Sequence, residues 1–260
     1  MIDNELNTLN DYRLRLNRTK EILILEHAKE LILMAFNIYY YESSVDCKFC
    51  KKHFTTYKVR PNRYKIIEEQ TDFMPVYDGL NPLLYEVAVC PHCGFAFHKS
   101  MTRTYGPFMQ LIDELYIKEL QKPMNICQER TIDDAIISFK LAYLVSRASM
   151  EESLLMANFA LKIAWLYRLK NDEESEKRYL FAARDFYSKS FASNQEGGER
   201  IQFLHAELSL RLGDMTEAKK GFSRLIADKN VSPKYRKLAR NRWENYKYDE
   251  QPITVKESMN

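Results

Sequence analysis

The sequence predicts a mainly α protein that carries one small β module, and three observations point there. Glycine and proline are sparse, at seven and eight in 260 residues, so turns are few and helices should dominate. Two short cysteine pairs frame a stretch rich in β-branched and aromatic residues. Further along, a small-aromatic-small spacing recurs at helical intervals. Hydrophobic residues at 45% and charged residues at 29% make an ordinary globular mixture. A formal charge of +3 is too small by itself to imply a polyanionic partner.

The N-terminus "MIDNELNTLNDYRLRLNRTK" is polar and shows no short apolar core with a small-residue cleavage site, so no export signal is read from it. Residues 20–36, "KEILILEHAKELILMAF", form a helical pattern whose apolar face is unusually wide. Such a helix is either sandwiched within its own chain or docked on a partner, and a homo-oligomer through it stays open. The most apolar run, Leu31 to Tyr41, has 11 residues and includes Asn37, too short to span a bilayer.

Four of the five cysteines then form two C-x-x-C pairs, Cys47/Cys50 and Cys90/Cys93. Two such pairs on separate turns can supply four thiolates at tetrahedral angles around one zinc ion. The 39 residues between them exceed the simplest spacing. They read as strands, "HFTTYKV" and "YEVAV", separated by the turn-like "RPN" and "YDGLNP", as in zinc ribbons with long insertions. A redox dithiol is the competing reading, because Cys-Pro-His-Cys also serves thioredoxin-like enzymes. There the motif opens a helix that lowers the first thiol's pKa. Here Gly94 and the alternating "FAFHKSMTRTYGP" make a poor helix start, and Cys47/Cys50 would have no task. The expected cofactor is therefore one structural zinc per chain. His53, His92 and His98 lie close enough in sequence to substitute as ligands, but four thiolates already complete the set, so they read as solvent-facing or supporting groups. Cys127 reads as a small buried apolar residue. An odd number of cysteines without an export signal points to a reducing, cytoplasmic compartment.

From Pro107 the pattern turns helical. "PFMQLIDELYIKELQK" begins with a proline suited to a first turn and places Phe108, Leu111, Ile112, Leu115 and Leu120 on one stripe. Ala135, Phe139 and Ala142 then set an i, i+4, i+7 spacing. Ser175, Tyr179 and Ala182 repeat it 40 residues on, and Ala218, Phe222 and Leu225 repeat it after another 43. With the turns "RLKND" (168–172) and "RLGD" (211–214), this looks like tetratricopeptide repeats of longer than usual period. A generic antiparallel helical bundle is the plainer alternative. "NQEGGE" (194–199) marks a break between hairpins, and "SPKYRKLARNRWENYKY" reads as a terminal capping helix with Ser232 as N-cap.

The expected fold is thus mainly α with a small β zinc-ribbon-like module and tetratricopeptide-like helical hairpins in the C-terminal half. The expected organisation is a helical extension over residues 1–42, the β module over 43–104, the helical domain over 105–250 and a flexible tail over 251–260.

The cysteine pairs, Phe54, Thr56, Lys58, Val59 and Arg60, the stretch "YDGLNPLLYEVAVCPHCGFAF", and "RTIDDAIISFKLAY" with "LKIAWLYRLKNDEESEKRYL" together resemble an uncharacterised bacterial family, domain of unknown function 2225, from about residue 43 to 247. The resemblance implies a cytoplasmic protein with a zinc-ribbon-like N-terminal region and a tetratricopeptide-like C-terminal region, and no activity. Lys51 departs from it where a glycine is usual, which makes the first knuckle strained or looser; the N-terminal extension lies outside it.

Three functional readings follow. The first is a non-catalytic interaction protein whose stacked helices take an unidentified protein or peptide partner. The second is a nucleic-acid binder. Lys51, Lys52, Lys58, Arg60, Arg63 and Lys65 form a run without an acidic residue, with Phe54, Tyr57 and Tyr64 interleaved for stacking, and Lys234, Arg236, Lys237, Arg240 and Arg242 add charge near the end. The third is an enzyme, for which no phosphate loop, dinucleotide fingerprint, nucleophile elbow or H-E-x-x-H is present; only a thiol-disulfide oxidoreductase has a motif behind it. Asp133/Asp134 and Glu173/Glu174 are adjacent, so on a helix they diverge and read as exposed or first-turn acids. No membrane partner is expected.

Overall fold

A computed structural model of the chain describes residues 38–120, 123–191 and 198–249. The apolar segment 20–36 and the tail 251–260 lie outside the described residues, as does most of the "NQEGGE" break. Six strands come first: β1 Tyr40–Asp46, β2 His53–Val59, β3 Tyr64–Glu69, β4 Pro75–Gly79, β5 Ala88–Val89 and β6 Ala96–Phe97. Seven helices follow: α1 Pro107–Ile112, α2 Ile132–Ala148, α3 Ser153–Leu169, α4 Glu173–Phe191, α5 Gly198–Arg211, α6 Met215–Ala227 and α7 Pro233–Asp249. The protein is mainly helical, with small antiparallel sheets and a cysteine cluster.

Among the described residues the strands make three separate two-stranded sheets, β1–β2, β3–β4 and β5–β6. β2 forms where its β-branched and aromatic run predicts it, and its alternation buries Phe54 and Thr56, with Val59 buried on the other face. β1 begins at Tyr40, ahead of the expected boundary at residue 43, and pairs along its whole length from Tyr40↔Val59 to Asp46↔His53. "YEVAV" is strand only at Ala88–Val89, because Pro82–Tyr85 winds into a 3-10 turn capped by Asn81 Oδ1 on the Leu83 N–H at 2.9 Å. β3 exposes nearly all its residues, so its hairpin with β4 is held by its tip rather than by a face.

The stripe expected after Pro107 breaks within the segment. Helix α1 passes into a π-helical turn, Asp113–Ile117, which closes through Lys118 N–H on Asp113 O at 3.0 Å. One extra residue per turn rotates the apolar face. Leu115, expected inside, is 63% exposed, whereas Tyr116 is buried.

Three of the connections, α2–α3, α3–α4 and α5–α6, share one design. Met150, Asn171 and Gly213 each take a left-handed backbone, at φ 53°, 58° and 81°. The following N–H reaches five residues back in each case: Glu151 to Ser146 O, Asp172 to Tyr167 O, and Asp214 to Ser209 O, at 2.9–3.0 Å. This satisfies the orphan carbonyls at a helix C-terminus. Asp172 and Asp214 then cap the next helix by accepting from Ser175 and Glu217 N–H. Short connections of this kind make neighbours antiparallel, so α3 packs on α4 and α5 on α6. A Cβ on Gly221 of α6 would stand 2.7 Å from Ala206 Cβ of α5, so this crossing depends on small residues.

Two of the three repeated triads, Ala135/Phe139/Ala142 and Ala218/Phe222/Leu225, are fully buried. The middle triad is only half-buried, and α4 instead buries Leu180, Ala183 and Tyr187. Tyr179 lies flat on Tyr167 at 5.6 Å near the surface.

Helix α2 starts with a complete capping box, in which Thr131 Oγ1 accepts from Asp134 N–H and the Asp134 carboxylate accepts from Thr131 N–H. Thr131→Ala should therefore lower stability by about 1 kcal/mol, a shift visible in a urea midpoint with unchanged slope.

Candidate metal centre

Two turns of matching geometry deliver the four cysteine sulfurs. In the first, Cys47 N–H donates to Lys52 O and Lys51 N–H to Cys47 O, both at 3.0 Å. In the second, Cys90 N–H donates to Phe95 O at 3.0 Å and Gly94 N–H to Cys90 O at 2.8 Å. Each closes on a left-handed residue, Lys51 at φ 63° and Gly94 at φ 76°. A Cβ at Gly94 would meet Leu120 Cδ2 at 2.0 Å, so a larger residue there would have to turn the Leu120 side chain aside, while the left-handed backbone favours glycine. Lys51 therefore keeps the glycine geometry rather than loosening the knuckle, and its Nζ donates to Lys48 O at 2.7 Å.

The turns face each other crosswise. Cys47 Sγ lies 3.7 Å from Cys93 Sγ, Cys50 Sγ lies 3.7 Å from Cys90 Sγ, and all four sulfurs fall within 4.8 Å of one another. Disulfide sulfurs stand about 2.05 Å apart, so all five cysteines, Cys127 included, are free thiols. Four sulfurs held about 2.3 Å from a central ion would be about 3.8 Å apart at the corners of a tetrahedron. The spacing fits that figure, and the four cysteines can hold a metal ion. Cys47 and Cys90 are buried and the other two half-buried. Phe49 stacks on Phe95 at 6.0 Å and Phe95 on Phe97 at 5.8 Å, which shields one side of the cluster. Tyr116, brought inward by the π turn, donates from its hydroxyl to Gly94 O at 2.6 Å and braces the second knuckle.

Without an ion the thiols of the quartet titrate unequally. The hydrogen bond from the Cys93 thiol, aided by the Cys50 and Phe49 amides, holds Cys47 down at about 5 against the opposing effect of burial. The same bond, with burial, pushes Cys93 up, and burial pushes Cys90 up to about 11. One thiolate is thus kept by neighbouring thiols, and a bound ion would have to displace the remaining protons.

The other residues singled out by the sequence fall elsewhere. His53 and His92 are exposed; His53 bonds Asp46 and Ser44, and His92 Nε2 meets His53 O at 3.3 Å. His98 is buried rather than solvent-facing, edge-on to Phe159 at 5.6 Å. Cys127 is buried, as expected, with its thiol toward Val89 O, and burial pushes its pKa up. Phe54 lies in the core and is not free to stack on a base, while Tyr57 and Tyr64 are half-buried.

Sequence reasoning missed the groups that tie the β region to the helices. Arg130, only 7% exposed, donates to Ile126, Leu84 and Val87 carbonyls. The β3–β4 tip lies against α3 and α5, and α7 reaches the same network through Glu207. Asp72, fully buried, accepts from Arg168 Nη2 at 2.7 Å and Trp165 Nε1 at 3.0 Å, with Arg211 at 3.7 Å. Glu207, also fully buried, binds Thr71, Arg211 and Arg242. Phe73 packs on Phe203 at 5.3 Å beneath the Arg200 guanidinium at 4.2 Å.

A mainly helical chain with a cysteine quartet between two knuckles is the class that fold and site define. A family model described as "uncharacterized protein conserved in bacteria" (DUF2225) matches residues 40–246, and the chain belongs to that family. No curated protein and no solved structure matches it. Among the described residues no helix is long and apolar enough to cross a membrane.

Proposed function

We propose that the chain is a zinc-binding, non-catalytic interaction protein, with one structural zinc held by Cys47, Cys50, Cys90 and Cys93. The observation that carries this reading is the closed quartet of sulfurs, all within 4.8 Å. Four soft protein donors leave zinc no open position for water or substrate. Cys47 and Cys90 share one apolar cluster with Phe139, Phe159 and Leu166 of the helices, so an ion there would clamp a ribbon-like β region onto the helical body. The recurring left-handed turns support reading α3/α4 and α5/α6 as tetratricopeptide-like pairs, the buried triad on α6 supports the second of them, and α7 would close the stack. The face of α3 and α5 already takes the chain's own Asp72-Phe73 turn through arginines, an indole N–H and an aromatic ring. That chemistry suits recognition of an acidic, aromatic protein segment. Free thiols fit a cytoplasmic setting.

Elemental analysis should give one zinc per chain. Thiol titration should then release four thiols only on chelation, with Cys127 reacting only on unfolding. A metal-free protein whose thiols react at once, or one that reduces insulin, would overturn the structural role. Recovery of no partner by a tagged chain from its own cell lysate would count against the interaction role.

A further inference from the structure

We infer that a cleft beside the β1–β2 sheet binds a small phosphate-bearing ligand with a planar ring, of mononucleotide size. This site goes beyond the interaction role and does not depend on which ion the cysteines hold. The cleft lies between the β1–β2 face, the β3–β4 hairpin and the segment from Pro82 to Ser100, with α3 adding Lys162. Its volume is about 630 Å³. Cavities that enclose small organic ligands run from roughly 300 to 1,000 Å³.

Its charge is unbalanced. Lys48, Lys58, Lys99 and Lys162 line it, and Glu86 is the one carboxylate among them. Glu86 is already committed, since it accepts from Lys162 Nζ and faces His98 Nε2 at 3.5 Å. His98 Nδ1 accepts from Ser100 N–H at 3.1 Å, which leaves the imidazole proton on Nε2, aimed at Glu86. Lys162 and Glu86 therefore cancel. Lys48 reaches only a neutral hydroxyl, Thr104 Oγ1 at 3.2 Å. Lys58, half-buried, and Lys99, exposed, have no carboxylate partner among the described residues. Three ammonium groups are left around one concavity, where low-dielectric walls focus their field on an anion. A phosphate can take several such donors at once.

The same cleft is also lined by rings. Tyr64 and Tyr77 meet edge to face at 5.5 Å, and Tyr41 is the cross-strand neighbour of Lys58 on the same sheet face. Rings of this kind receive a flat heterocycle without demanding its identity. Ammonium groups and ring faces within one cleft match the two halves of a nucleotide.

The test is calorimetric titration of the metal-loaded full chain with inorganic phosphate, ADP and a single-stranded oligonucleotide at low salt. ADP should saturate one site per chain, bind more tightly than phosphate and weaken as salt rises. Lys58→Gln and Lys99→Ala should each weaken ADP about tenfold, the effect of losing one charged hydrogen bond. Tyr64→Leu should weaken ADP but spare phosphate, and Lys234→Ala on α7 should change nothing. Circular dichroism and metal content equal to wild type would certify each variant. No saturation by phosphate or ADP at millimolar concentration would overturn the site, as would unchanged affinity in both lysine variants. Equal affinity for phosphate and ADP would overturn ring binding in the cleft, and tight oligonucleotide binding without ADP binding would replace the cleft with an extended strand track.

Discussion

On the zinc reading proposed above, Cys90→Ser should leave the chain without metal and unfold the region from β1 to β6. Cys90 is fully buried, its sulfur stands 3.7 Å from Cys50, and its amide closes the second knuckle on Phe95. Structural zinc contributes about 10–16 kcal/mol in finger peptides at neutral pH. A whole domain is typically stable by about 5–15 kcal/mol, so an ion of that strength would supply as much as the entire margin. The cluster that contains Val87, Phe95 and Ala96 continues into Phe139 and Phe159, so the helices should survive but melt lower, by roughly 10 °C or more. Elemental analysis together with far-ultraviolet circular dichroism on heating checks both parts. Stoichiometric metal with wild-type melting in the variant would refute the expectation. Because metal binding needs thiolates, chelator resistance should also fall as the solution is acidified.

The second large effect is expected at Asp72→Ala. Burial alone would raise this carboxyl, but the Arg168 hydrogen bond, the charges of Arg211 and Arg168, and the Trp165 N–H together hold it below the usual carboxylate range. Removing one member of a buried ion pair costs about 3–5 kcal/mol, because the partner charges are left uncompensated. Here the lower end applies, about 3 kcal/mol, since Arg168 keeps Glu176 and Arg211 keeps Glu207. That corresponds to a loss of roughly 6–12 °C in melting temperature for a chain of this size. The pH dependence has a definite sign. A carboxylate depressed in the folded state stabilises fully above its unfolded value of about 3.9 and ceases to do so as pH falls through the folded value. The stability gap between wild type and variant should therefore be flat from neutral pH down to about 4 and shrink below it, as read by urea unfolding at each pH. A gap that widened in acid would contradict the assignment.

The quartet was legible because C-x-x-C encodes its geometry locally: two thiols on one tight turn have few other ways to point. β2 was legible for a similar reason, since its β-branched and aromatic run alternates from His53 to Thr56 before Val59 turns to the other face. β3 was not, because "YKIIEE" faces solvent along nearly its whole length and carries no alternation to read. The stripe through Leu115 misled because a π turn changes the period within a single segment. The half-buried middle triad shows that a repeated spacing can persist while the buried face rotates, once a helix must satisfy neighbours on two sides. Asp72, Glu207 and Arg130 carried no signal in the sequence because partners of each lie far along the chain, and no local signature marks a buried charge satisfied by tertiary packing.

The two knuckles are near twins in their bonds but not in their residues. A lysine held at φ 63° carries a steric penalty of roughly 1–2 kcal/mol that glycine at the same position in the other turn escapes. The clasp is thus built from one relaxed half and one tense half. The backbone tension of the clasp is therefore stored wholly on its N-terminal side.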